Sequence, residues 1–413
     1  MASFLSKIFA LRSSKSIRVP AIETYDVENP VEKRARTLFH LVKLNHINHS
    51  VRIRGDVSGP TSSYNIVPHH LISAFLFGAD NHTLDHLYEV DSGLLQPWKD
   101  APGEVVGSDW MDFLGKKEYE RAFLDLFEDD LVDQGYDWKA VLQKFLFTGE
   151  QPLISSITAG LGQPLIHLAL ALQMSVRDLA MEALTLAATS YYDNDIFKYS
   201  DDPSYFQAES LYKSSSISDI LEKVRTDVRF NNDAIAIPGE QNMAIIFRDS
   251  EAALLDHCNA WIIFSDPTTH FRESQKAAIT LLMGTKTLEG KYDNILLHPL
   301  LMSHAIHVIL PHTPDKVHIS LVQQWWLTTL AIYVAQLRPE IEFDVLVGYD
   351  TQDKNWEWVK QQALKNPYAT DAYFLQTLRV LKDLGDAWED PEEYYLKAAV
   401  KFVDDFDGWS VFV

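Results

Sequence analysis

Apolar residues recur along this chain at three- and four-residue intervals, and strict apolar–polar alternation is rare. The first spacing marks one face of an α-helix; alternation would mark a half-buried strand. The pattern predicts a helix over 69–78 ending at Gly78, then a second from the capping pair Asp80-Asn81 through Glu89. Within 116–134, Phe123, Leu124, Phe127 and Leu131 share a helical face. Helices are also expected over 137–147, 152–173 and 175–192, and from a Ser216 or Ser218 cap to about Arg225. Seven more follow at 241–264, 274–284, 294–310, 315–337, 353–365, 369–385 and 391–405, with Pro311 and Pro314 breaking the chain between two of them. Strand signals are confined to Val51-Arg-Ile-Arg54 and Phe343-Asp-Val-Leu-Val347. The segment 193–215, rich in Asp, Ser, Tyr and Pro, reads as a long loop and a candidate lid. The predicted fold class is all-α: a many-helix bundle with a central cavity lined by inward-facing polar and aromatic side chains.

Composition sharpens this picture. A chain of 413 residues that is 46% hydrophobic can bury a sizeable core. We expect a basic, disordered arm over 1–25 and a single helical domain over 26–413. The arm carries Lys7, Arg12, Lys15 and Arg18 with no acidic residue before Arg18, a faintly transit-peptide-like composition. A net charge of -22 argues against nucleic acid and against electrostatic docking to anionic membranes. Cys258 is the sole cysteine, so no internal disulfide or cysteine-based metal site can form, and a reducing, cytoplasmic setting fits. No run reads as a bilayer span, so stable membrane insertion is not expected. The length of the bundle leaves room for a homodimer.

Several familiar chemistries lack their signatures. There is no Gly-x-Ser-x-Gly elbow, no phosphate-cradling loop ending in Lys-Ser/Thr, and no His-Glu-x-x-His. Gly160-Leu-Gly162 supplies two glycines of a dinucleotide fingerprint, but the third position is Leu165 and no strand precedes it.

The chemistry instead sits on apolar helices. Gln163 and His167 lie one turn apart in the run 160–172, which is otherwise nearly all apolar. His69-His70 open an equally apolar helix, and their adjacent side chains point about 100° apart. His304 and His307 share a face, as do Tyr373 and Gln376. Each group needs a partner, because an unpaired polar group in a core costs about 1–3 kcal/mol. They either satisfy one another or face a common polar centre. His82 and His86 have the spacing of a helical metal pair, but Asp80, Asn81, Asp85 and Glu89 around them favour a solvated face. His46 and His49 read either way. Trp325 and Trp326 belong to a core helix, although one of them could wall a pocket.

At these segments the chain resembles the questin oxidase-like family. The matching pieces are His69-His-Leu-Ile-Ser-Ala-Phe-Leu-Phe-Gly-Ala79, Gly160-Leu-Gly-Gln-Pro-Leu-Ile-His167, Ser303-His-Ala-Ile-His307, Tyr333-Val-Ala-Gln-Leu-Arg-Pro339 and the stretch from Asp371 to Arg379. The resemblance implies an all-helical fungal enzyme that tailors polycyclic natural products. In one branch it implies non-haem iron held by histidines and a carboxylated lysine. The family's His-Pro-x-Ile-His is here Gln163-Pro-Leu-Ile-His167, and its His-x-x-Lys-x-x-Arg is here Tyr373-x-x-Gln376-x-x-Arg379. His69 or His70, His167 and His304 keep family-like identities. Gln376 has no amine to carboxylate, and an amide or phenol is a poor ligand for ferrous iron.

The expectation is thus the family pocket without the family metal, as in a redox-neutral branch that includes a norbornene-forming Diels–Alderase of fungal sordarin-type diterpenoid biosynthesis. The candidate catalytic residues are His167, His304, Tyr373, Gln376 and Gln163. Candidates for binding a hydrophobic polycyclic substrate are His70, His69, His307, Arg379, Trp325 and Trp326. No metal and no cofactor are expected on this reading. One alternative is an Fe2+-dependent oxygenase acting on an aromatic polyketide, its site rebuilt from His46, His49, His69, His70, His167, His304 and His307. Another is a non-catalytic helical binding protein whose histidine clusters satisfy themselves.

Overall fold

The computed structural model describes residues 16–53, 63–202, 204–263, 266–285 and 289–410. Among them are seventeen α-helices. In chain order these are α1 (Lys33–Asn48), α2 (Val67–Leu76), α3 (Asn81–Ser92), α4 (Glu120–Asp133), α5 (Trp138–Phe147) and α6 (Gln163–Met174). Next come α7 (Arg177–Thr189), α8 (Phe197–Asp201), α9 (Ile217–Thr226), α10 (Asn242–Asp249), α11 (Glu251–Ala260) and α12 (Pro267–Met283). The last five are α13 (Asn294–Ile309), α14 (His318–Ala335), α15 (Trp356–Lys365), α16 (Ala372–Ala387) and α17 (Tyr394–Asp405). The protein is all-α, as the apolar spacing predicts. The described strand structure is one two-stranded antiparallel pair, Arg52–Ile53 with Ser63–Tyr64, in which Arg52 faces Tyr64.

Local chemistry sets the helix starts. Asp80, Asp137, Ser216 and Asp371 each accept a hydrogen bond from a backbone N–H in the first turn of α3, α5, α9 and α16. Asp266 does the same for α12, which therefore begins before the expected residue 274. The expected helix over 241–264 is two helices, broken at Ser250. Helix α1 lies outside the predicted set. The 152–173 stretch becomes α-helical only at Gln163. Two 3-10 turns precede it, and Leu161 and Gly162 take left-handed φ of 56° and 76°. That kink lets the chain enter the bundle with Gln163 already facing inward.

Other expectations change as well. Residues 343–347 form turns rather than a strand, and Arg54 lies outside the described residues. The 193–215 segment is not an open loop. It holds α8 between short 3-10 turns, Ile196 and Tyr199 are buried, and the Tyr199 hydroxyl donates to Glu251 at 2.8 Å. Residues 16–25 of the expected disordered arm are fixed along the bundle. Ile17 N–H donates to His318 Nδ1, His307 Nε2 to Pro20 O, and Tyr25 N–H to Gln173 O, while Ile17 and Ile22 are buried. Lys7, Arg12 and Lys15 lie outside the described residues.

The interior is built on α6, α13 and α14. Helix α6 is buried over its whole length. One stretch, Asn294–His312, is by length and composition apolar enough to cross a bilayer, contrary to expectation, but 83% of that window is buried inside the bundle. A single apolar cluster joins these helices to the rest of the core. Close packing is tightest where Gly162 meets α13. A Cβ there would collide with Met302 Cγ and Sδ, and the positive φ already disfavours any L side chain. Gly162→Ala is expected to destabilise the fold by about 2 kcal/mol, read as a lower urea midpoint at constant slope.

Candidate active site

Four buried helices, α2, α6, α13 and α16, meet along a polar seam. Its middle level brings together three of the residues singled out from the sequence. His69 Nε2 lies 3.1 Å from His167 Nδ1, and the Gln376 amide nitrogen lies 3.2 Å from His69 Nδ1. His167 Nε2 lies 2.7 Å from Glu182 Oε2 on α7. The other oxygen of Glu182 meets His46 Nδ1 at 2.8 Å, and His46 Nε2 reaches Glu128 of α4 at 2.9 Å. The directions agree from end to end. Gln376 donates to His69, His69 to His167, and His167 to Glu182, while His46 donates to both carboxylates.

Electrostatics follows from this chain of bonds. Burial opposes charge on His46, but its bonds to Glu128 and Glu182 prevail and raise its pKa to about 10. Burial would raise the Glu182 carboxyl, but the bonds from His167 and His46 hold it down at about 2. An imidazolium and a carboxylate are therefore locked inside the bundle. His69 is pushed well below its ordinary value, chiefly by burial, so it stays neutral.

One step along α6 and α16 lies the lower level. Asp383 Oδ2 accepts from His304 Nε2 at 3.0 Å, from the Gln173 amide at 3.0 Å and from Arg379 Nη1 at 3.3 Å. Arg379 also reaches Gln173 Oε1 and Ser73. Burial keeps His304 below its ordinary pKa despite the neighbouring carboxylate.

The upper level has open hydrogen-bonding capacity. His298 donates from Nδ1 to the Leu161 carbonyl at 3.0 Å, which leaves Nε2 as a lone pair with no partner among the described residues. Burial lowers its pKa to about 4. The Tyr373 ring packs edge-on against His298 at 5.9 Å. Among the described residues, neither the Tyr373 hydroxyl nor the buried Gln163 amide has a hydrogen-bond partner. Glu240, in the turn before α10, also lacks one. Burial, then the charge of Asp193, pushes its carboxyl up to about 7. Burial raises the Tyr373 phenol, and the charge of Glu240 adds to that shift.

The remaining predicted residues lie elsewhere. His70 points away from the seam, to Asp91 at 2.6 Å. His307 is tied to Pro20 O and the Gln275 amide, and so anchors the N-terminal segment. Trp325 donates to Pro299 O, and Trp326 packs beside it against Trp261. His49 lies off the seam, and His82 and His86 are exposed, as their neighbours suggest. Sequence reasoning missed Glu182, Asp383, Gln173, His298 and Glu240. Glu182 had a readable signal, the lone charge in the apolar stretch 179–189. Asp383 had another, its four-residue spacing from Arg379. Glu240 had none.

As donors for ferrous iron these groups fit poorly. Among the described residues no three His, Cys, Asp or Glu side chains converge in a metal-holding group. Both oxygens of Glu182 are taken by imidazoles, Asp383 already pairs with Arg379 and His304 through Oδ2, and the Arg379 charge acts on His69. A dication would meet a guanidinium, and each nearby carboxylate already has a cationic neighbour.

The match to the questin oxidase-like family model covers residues 63–381, most of the chain. The chain belongs to that family. A questin oxidase of Aspergillus terreus (strain NIH 2624 / FGSC A1156) is 20% identical over 370 residues, spanning 86% of this chain and 81% of its own length.

Two outcomes test the electrostatics. His46 stabilises the fold below its unfolded value of 6.5, and that contribution disappears as pH rises through about 10. Glu182 stabilises above its unfolded value of 4.5, and that contribution disappears as pH falls through about 2. The Tm should therefore peak between pH 4.5 and 6.5, and Glu182→Gln should lower and flatten that peak. Separately, carboxyl 13C NMR should show a resonance titrating near pH 7 that vanishes in Glu240→Gln.

Proposed function

We propose that this protein is a fungal secondary-metabolite tailoring enzyme of redox-neutral type. It closes a ring by intramolecular [4+2] cycloaddition in a hydrophobic substrate, with norbornene formation on a terpenoid as the favoured case. The observation that supports this reading is the state of the seam. The imidazoles bond one another and buried carboxylates, and Gln376 donates to His69 from a position where the family resemblance implies a lysine.

The upper level supplies what such a reaction needs. A tethered diene and dienophile must be folded together, and holding them in place contributes a few kcal/mol, on the order of the low end of measured positioning effects. Tyr373, Gln163 and protonated Glu240 offer donors to a carbonyl conjugated with the dienophile. A bond that tightens in the transition state adds about 1–3 kcal/mol. His167 and His304 act on this reading through their neighbours, holding α2, α6, α13 and α16 in register around the substrate.

A second reading is an iron-dependent oxygenase. It is favoured by the 20% identical questin oxidase and by the 3.1 Å separation of His69 Nε2 and His167 Nδ1, a spacing that two ligands of one ion can also take. Metal analysis of the purified full chain, with turnover of a tethered diene–dienophile precursor measured with and without chelator, separates the two. The first reading expects far less than one equivalent of iron, no oxygen uptake and unchanged turnover. Stoichiometric iron whose removal abolishes activity overturns it. Tyr373→Phe should lower kcat by about tenfold to a hundredfold with little change in KM, the signature of a contact made in the transition state.

A further inference from the structure

The upper level of the seam holds a basic nitrogen that ring closure alone leaves unused. His298 lies on α13 and is 4% exposed. Its tautomer is set from outside the ring. Leu161, at a left-handed φ of 56°, presents its carbonyl to α13 and takes the Nδ1–H at 3.0 Å. Nε2 is then the nitrogen that can accept a proton. The backbone beside it is held. Pro299 follows within the helix, and the Pro299 carbonyl accepts from Trp325 Nε1 at 2.9 Å.

Two observations point to a guest rather than to packing. First, Nε2 has no partner among the described residues, yet it is not sealed in the core. It borders space that a water molecule can reach, whereas the unpaired amide of Gln336 is sealed. Second, the Tyr373 hydroxyl and the buried Gln163 amide are likewise unpaired and unsealed. The Tyr373 ring stands edge-on to His298 with centroids 5.9 Å apart. Gln163 begins α6 two residues after the Leu161 that holds His298. One base and two donors therefore border the same level, each on a packed helix. Burial lowers His298 to about 4 and so keeps the ring neutral, ready to accept. A base of pKa about 4.6 is known to abstract a proton beside a carbonyl where a phenol and a second donor receive the oxyanion.

We propose that the upper level also catalyses proton transfer in a hydrophobic α,β-unsaturated ketone or aldehyde, with His298 Nε2 as the base and Tyr373 and Gln163 as donors to the carbonyl oxygen. The C–H bond γ to the carbonyl breaks and its proton goes to Nε2. The electron pair moves through the conjugated carbons onto oxygen, where the two donors stabilise the dienolate. The imidazolium then returns the proton to the γ or the α carbon, so no oxidant or reductant is consumed. The dienolate is an electron-rich diene, the component that a [4+2] closure requires. The inference rests on the proposed function only in taking the upper level as the substrate site; ring closure itself is not assumed.

The test incubates the full chain with α-ionone in neutral D2O and follows deuterium at its γ carbon by NMR. α-Ionone is a terpenoid enone with one γ hydrogen, and α-ionol, which lacks the carbonyl, is the control. Deuterium should enter α-ionone about a hundredfold faster than in buffer, and α-ionol should take up none. His298→Asn keeps a donor for the Leu161 carbonyl and removes the base. It should retain the circular dichroism, the Tm and the rise in Tm on adding α-ionone, and lose exchange by about a hundredfold. Tyr373→Phe should lower exchange by a similar factor. Exchange without ring closure of the tethered diene–dienophile precursor supports this proposal and removes the cycloaddition. Exchange no faster than in buffer, or equally fast in His298→Asn, overturns the proposal whether or not the precursor cyclises.

Discussion

The constraint on which the rest of the structure turns is the Glu182 carboxylate, buried between two imidazoles. A naked carboxylate in a bundle core is prohibitively unfavourable, and one with a cation on one side and a neutral donor on the other is tolerable. His46 and His167 meet that need at 2.8 and 2.7 Å. The requirement propagates outward. Glu182 takes the Nε2–H of His167, so Nδ1 of that ring must accept. His69 must then donate from Nε2 and accept from Gln376. One buried charge thus fixes the proton positions of three side chains on three further helices.

The same logic bears on what the seam offers a metal ion. Iron needs free lone pairs converging on a point and an anion to balance its charge. Here each ring nitrogen of the middle level has a protein partner, and both anions near it are neutralised. The Gln376 amide completes the hydrogen-bond chain by donating to His69. The open hydrogen-bonding capacity lies at the upper level, with Gln163, His298 and Tyr373.

Identity of 20% over most of both chains and the family match over residues 63–381 speak to a shared frame, not to the reaction carried on it. The family and the all-α class rest on that frame, and the reaction rests on a handful of side chains in the seam.

Helical spacing of apolar residues determined the fold class and placed most helices, because amphipathic periodicity is a local property. The polar residues on apolar helices were legible for the same reason. Gln163, His167, His69, His304 and Gln376 stood out against their neighbours, and Glu182 and His298 could have. Which of them meet was not legible. His69 and His70 are adjacent and equally apolar in setting, yet one bonds His167 and the other turns to Asp91. Packing of α2 against α16 decides that, through residues three hundred positions apart in the chain. Glu240 is the extreme case. It sits in an ordinary turn, and only partial burial and the charge of Asp193, products of the assembled bundle, push its carboxyl up to about 7.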